Sequence, residues 1–155
     1  MNKNIQIHLK ERKNYQNIYN ENILSYELSN YIIEQTNGIS HKDKIYFEIV
    51  SDFEMDDREK NHFSDMLRSS FGTDVGEIIH KNKKQLLANL IIFIIGMLFL
   101  VLYYLISPDF ISELTLILGW VFIGESICNF LYKGIETKIN IKKKKQIIDA
   151  KIEFN

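Results

Sequence analysis

The hydrophobic pattern divides the chain into three stretches. Up to residue 84, apolar positions recur with strand and helix periods; from 85 to 132 they merge into two long runs; from 133 onward they are sparse among lysines. Ile5, Ile7 and Leu9 alternate with polar neighbours, which is a strand period. Residues 23–36 place Leu24, Leu28, Tyr31, Ile32 and Gln35 along one helical side, with Ser25 as a candidate cap and Asn37-Gly38 as the stop. Residues 44–50 put Ile45, Phe47 and Ile49 on one side and Tyr46, Glu48 and Val50 on the other, the clearest strand in the sequence. Asp56 and Glu59 have capping-box spacing, and Phe63, Met66, Leu67 and Phe71 mark the helix they open. Gly72 and Gly76 are expected to loosen the chain beyond Phe71. The order strand–helix–strand–helix predicts an α/β fold: a small cytoplasmic two-layer domain over residues 1–80. A sheet of only two strands needs a second copy or a partner to be stable.

The two apolar runs change the picture. Residues 85–107 are 23 positions without a charge, and residues 114–132 are 19 positions with Glu125 as the one charge. As helices they measure about 34 and about 28 Å, against a hydrocarbon core of about 30 Å. Tyr103 and Tyr104 fall at one end of the first run and Tyr132 at the end of the second, where aromatic rings settle at headgroup level. Pro108 stops the first span. A connection of residues 108–113 forces two antiparallel transmembrane helices, so residues 81–132 read as a membrane hairpin. Trp120 lies too deep for an interfacial belt and is expected to pack between helices.

Composition adds little by its average: 155 residues are 46% hydrophobic with a mean hydropathy of -0.12 and a net charge of -1. Its distribution says more. Residues 1–80 hold 9 Lys/Arg against 14 Asp/Glu, Lys81, Lys83 and Lys84 precede the first span, and the tail from Lys133 holds 7 Lys. The connection has neither Lys nor Arg, so the basic flanks place both termini in the cytoplasm of a two-pass cell-membrane protein. Residues 1–9 are polar and mixed, with no apolar signal core to export the α/β part. Residues 133–155 read as a basic cytoplasmic helix whose Lys142, Lys143, Lys144 and Lys145 are expected to contact anionic lipid.

Glu125 is the most informative residue within the spans. An acid at mid-bilayer faces a bundle interior or a cavity rather than lipid. Asn129 is one turn further on, and Asn89 should lie at matched depth on the facing helix, so Glu125, Asn129 and Asn89 are expected to form a polar cluster. Trp120, Gly124, Gly96 and Cys128 are the expected packing positions, although no GxxxG motif is present.

No catalytic constellation emerges. His8, His41, His62 and His80 are scattered, and Cys128 is the single cysteine, which leaves no zinc set and no disulfide framework. Asp52, Glu54, Asp56 and Asp57 resemble a calcium loop only in charge, lacking its central glycine and terminal bidentate glutamate. No cofactor, metal or nucleic-acid partner is expected.

Residues 119–133, GWVFIGESICNFLYK, with the basic tail and AKIEF at 150–154, resemble a group of small uncharacterised bacterial two-span membrane proteins. That resemblance rests on Gly119, Trp120, Ile123 and Glu125, matching G-W-x-x-I-x-E; Gly124 stands where the group carries a larger residue. It implies a soluble α/β part and a basic tail, and no activity. The expected function is therefore a non-enzymatic membrane-anchored interaction or scaffold protein, oligomeric through its hairpin and cytoplasmic domain. Lipid and a second copy are its partners, with another membrane protein as a further candidate. The alternative is a membrane-active effector or channel assembled around Glu125, in a defence or toxin role.

Overall fold

The computed structural model describes residues 2–106 and 110–155. The expected stop at Pro108, and most of the expected connection's start, lie outside the described residues. Two compact units are present: residues 1–76 together with 140–155, and residues 77–139.

The first unit is a small mixed α/β domain. Strand β1 (Asn2–Leu9) pairs in parallel with β4 (Lys44–Ser51), which pairs in parallel with β5 (Lys151–Phe154), giving the order β1-β4-β5. Between β1 and β4 come the short antiparallel ribbon β2 (Gln16–Asn17) and β3 (Asn20–Leu24), then helix α1 (Tyr26–Thr36). The period-two pattern predicted for 5–9 and 44–50 sets the sheet's buried side. Ile5, Ile7 and Leu9 of β1 and Ile45, Phe47 and Ile49 of β4 are buried, joined by the partly buried Ile152 and Phe154 of β5. Helical residues cover them: Leu28 and Ile32 from α1, and Phe63, Met66, Leu67 and Phe71 from α2 (Asp57–Leu105). Tyr15 meets Phe63 edge to face at 5.3 Å, and Phe63 meets Phe154 likewise at 5.9 Å.

β5 corrects the expectation of a two-stranded sheet. The last residues, read as the end of a basic tail, supply the third strand: Phe47 stands opposite Ile152, and Ile49 opposite Phe154. The sheet is completed within one chain, so its strand count no longer calls for a second copy.

Local signals set the helix boundaries. Ser25 caps α1 by accepting from the Leu28 amide at 3.3 Å while its hydroxyl donates to the Asn14 carbonyl at 2.7 Å. The same side chain thus ties the helix start to the preceding turn. Ser25→Ala is expected to cost about 1 kcal/mol, read as faster amide exchange in the first turn of α1. At α2, Asp56 Oδ1 accepts from the Glu59 amide at 2.7 Å, and Glu59 Oε2 accepts from the Asp56 amide at 3.4 Å, the reciprocal box the spacing predicts. Gly72 and Gly76 do not loosen α2, which continues through both. Buried Phe71 and Val75 flank them and hold that turn by tertiary packing, which outweighs a propensity penalty of about 1 kcal/mol per glycine.

The second unit contains the later part of α2 and the earlier part of α3 (Phe110–Ile148). α3 begins at Phe110, so residues 110–113, expected in the connection, are helical. Both helices are long and apolar enough to cross a membrane, with mean hydropathies of 2.7 and 1.7 over their most apolar windows. Protein covers only 6% and 22% of those windows, unlike the core helix of a soluble protein.

Candidate functional site

In the hairpin, side chains touch along a seam that repeats every seven residues. Ser112, Gly119 and Ser126 of α3 are buried, as is Ile123, and from α2 so is Asn89. A Cβ built at Gly96 would lie 3.1 Å from the Gly119 carbonyl oxygen, and one at Gly119 would lie 3.2 Å from the Gly96 carbonyl oxygen. The two glycines therefore sit where the helix backbones approach too closely for a side chain to fit without movement. Ser126 donates its hydroxyl to the Asn89 carbonyl at 2.8 Å, and Phe99 stacks on Phe122 at 5.7 Å. Nearer the unit's other end, Thr137 donates to Asn82 Oδ1 at 3.5 Å.

This seam differs from the predicted polar cluster. Asn89 is buried and Asn129 half-buried, but Glu125 is exposed and has no hydrogen-bond or ion-pair partner among the described residues. Ser126 occupies the inward position instead. Successive helical residues are turned by about 100°, so a seam that includes Gly119 and Ser126 carries Glu125 round to the outside. Of the expected packing positions, Gly96 lies in the seam. Trp120 is 61% exposed, Cys128 is exposed, and Gly124 has open space where a Cβ would stand. Trp120, Gly124 and Cys128 are spaced by four and share one outward side with Glu125 adjoining. Ser126 and Ser112 were missed from sequence; their spacing of seven from Gly119 was the available signal.

The lysine block is split by the fold. Lys143 Nζ donates to both the carbonyl and Oδ1 of Asn37 at 3.0 Å, placing a cation on the last turn of α1. Lys144 pairs with Asp74 and lies over the Phe71 ring at 5.3 Å. These two lysines tie the last turns of α3 to the end of α1 and to α2. Lys142 and Lys145 stay exposed.

A third feature lies outside the carboxyl ends of β1, β4 and β5, the usual position of a ligand crevice in a parallel sheet. An open cleft of about 770 Å³ is lined by Arg12, Asp52, Glu54, Asp56, Glu59 and Lys60 among others. Its charges are largely engaged. His8 Nε2 is 2.7 Å from Asp52 Oδ1, Arg12 is 2.9 Å from Glu59 and stacks over Phe53, and Asp56 caps α2. Glu59, by its hydrogen bond and its charge, raises the affinity of the Arg12 guanidinium for its proton. Burial raises the neighbouring Tyr15 phenol above its usual range. The His8–Asp52 pair joins residues 44 apart, so no sequence spacing announced it. These pairs tie the ends of β1 and β4 to the start of α2. Among the described residues, no group of three or more His, Cys, Asp or Glu could hold a metal ion.

No protein-family model, curated protein or solved structure matches this chain.

Proposed function

We propose that the chain is a non-enzymatic, membrane-anchored interaction module. It crosses the membrane twice with both termini in the cytoplasm, and it self-associates through the outward side of α3. The observation that carries this reading is Glu125, exposed beside Trp120, Gly124 and Cys128 on an apolar helix and without a hydrogen-bond or ion-pair partner among the described residues of its own copy. A carboxyl group left in hydrocarbon costs a few kcal/mol, and such groups usually face a protein interior. A second copy meeting this side would remove the acid from lipid, and Gly124 would let the helices approach closely. The α/β domain then stands at the cytoplasmic face as the part available to partners.

The native cysteine tests the association. In membranes, a short bifunctional maleimide should couple Cys128 to Cys128 of a second copy, and mild detergent should yield at least a dimer. Glu125→Leu should weaken association by about 0.6–2 kcal/mol, the span of membrane hydrogen-bond strengths, while Glu125→Gln should preserve it. A strictly monomeric chain in bilayer and detergent would sink the proposal. Liposome ion flux that is lost in Glu125→Gln would favour the channel-forming alternative.

Topology is tested separately. In a Cys128→Ala background, Phe110→Cys should react with an impermeant maleimide from outside intact cells, and Asn2→Cys should not. Labelling at position 2 would overturn the orientation.

A further inference from the structure

A second cleft of the α/β domain, about 710 Å³, opens at the opposite end of the sheet from the first. Five lysines line it, brought together from three parts of the chain: Lys42 and Lys44 before and at the start of β4, Lys142 and Lys145 on α3, and Lys151 at the start of β5. Among the described residues, Asp43 and Asp149 are the acids in its lining, and with the five lysines they give a net charge of +3. All five lysines are exposed, and Lys42, Lys44, Lys142 and Lys145 form no ion pair among the described residues. A merely solubilising lysine face would not need to gather from three segments around one concavity. Like charges so placed repel one another, and a concave surface focuses their field.

The walls are fixed before any ligand arrives. Gln146 Nε2 donates to the Ser40 carbonyl at 2.9 Å and the Asp43 carbonyl at 2.6 Å, clipping the turn that carries Lys42 to the end of α3. The Asp43 amide closes that turn on the Ser40 carbonyl at 2.9 Å. Lys143 anchors the same helix to Asn37, and Lys151 lies over the Tyr46 ring at 5.9 Å. Lys142 and Lys145 are three apart and so share one side of α3, facing the lysines of the strands.

We infer that this cleft is a binding site for a phosphate-bearing anion with two or more negative charges, carried on a soluble molecule or on a lipid headgroup. Lysine ammonium groups are compact point charges with three donors each, suited to phosphate oxygens that approach from several directions. A cleft of this size holds a diphosphate with room for an attached group.

The test uses the full-length chain in phosphatidylcholine nanodiscs, with amine acylation read lysine by lysine by mass spectrometry. Inorganic pyrophosphate is one probe; nanodiscs containing phosphatidic acid are the other. Protection of Lys42, Lys44, Lys142, Lys145 and Lys151 by pyrophosphate, with Lys10 and Lys13 unchanged, supports the site with a soluble ligand. The same pattern with phosphatidic acid alone supports it with a headgroup. Lys142→Gln/Lys145→Gln, and separately Lys42→Gln/Lys44→Gln, should each weaken the effective probe about tenfold, as loss of charged hydrogen bonds requires. Equal charge removal by Lys10→Gln/Arg68→Gln should leave it unchanged. Protection in neither arm, equal protection at Lys10, or equal weakening by the control pair overturns the inference.

Discussion

Gly96→Leu is expected to open the hairpin. The first added carbon would lie 2.8 Å from Ile123 Cγ1 and 3.1 Å from both the Gly119 carbonyl oxygen and the Ile123 amide nitrogen. The Ile123 side chain could turn aside, but the other two atoms are backbone and move only with their helix. Three further carbons would follow it into a seam where both backbones already stand this close. Overpacking of this kind typically costs about 1–3 kcal/mol, and more where backbones must separate. Separation would also stretch the Ser126–Asn89 bond and part Phe99 from Phe122. A cysteine pair at Asn82→Cys and Thr137→Cys, in a Cys128→Ala background, reports the seam because the side chains at those positions meet, Thr137 Oγ1 lying 3.5 Å from Asn82 Oδ1. Oxidative coupling should be efficient in the parent and fall several-fold with Gly96→Leu. Gly124→Leu is the contrasting change. It enters open space within one copy, so coupling within the hairpin should persist while association between copies weakens. Equal coupling in all three proteins would sink this account of the seam.

How much of the structure was legible in the sequence depends on how local each signal is. The apolar runs identify two helices of span length because apolar stretches of that size have few other uses. β1 and β4 declare themselves through alternation, and Asp56 with Glu59 through three-residue spacing. β5 was hidden because its evidence is distant. KIEF is four residues long, and its pairing with β4 joins positions about a hundred residues apart, where no local periodicity operates. The hairpin seam was hidden for another reason. GxxxG looks for small residues four apart, whereas Ser112, Gly119 and Ser126 are seven apart, the repeat of helices crossing at a shallow left-handed angle. Glu125 drew attention as the unusual residue, yet its neighbour Ser126 makes the contact within the hairpin. The lysines illustrate a third limit. A run of four reads as one charged block, but helical geometry turns adjacent members apart, so Lys143 and Lys144 dock onto Asn37 and Asp74 while Lys142 and Lys145 face the cleft.

Ile147→Asp is expected to unfold the α/β domain, although position 147 lies in a stretch that reads from sequence as a basic tail. Ile147 is 1% exposed and belongs to the same buried cluster as Ile7, Phe47 and Phe63. Ala150, also buried, comes after it, and β5 starts immediately beyond. A carboxylate at position 147 would lose its water among the apolar side chains of that cluster. That mechanism belongs to the small class of substitutions costing more than about 4 kcal/mol. Ile147→Val removes one methylene and should cost only about 0.5–1.5 kcal/mol, so the pair separates charge burial from loss of shape. Hydrogen exchange on the full chain in detergent is the measurement. Ile147→Asp should speed amide exchange in β1 and β4 by about a thousandfold or more, the equivalent of that loss. Exchange within residues 86–105 should be unchanged, because those amides are bonded within their own helix. A solvated tail lying on headgroups would give another result: Asp at 147 would weaken membrane contact and leave β1 and β4 as protected as before. That outcome would show that residues 140–155 are not an integral part of the domain, and β5 would lose its place in the sheet.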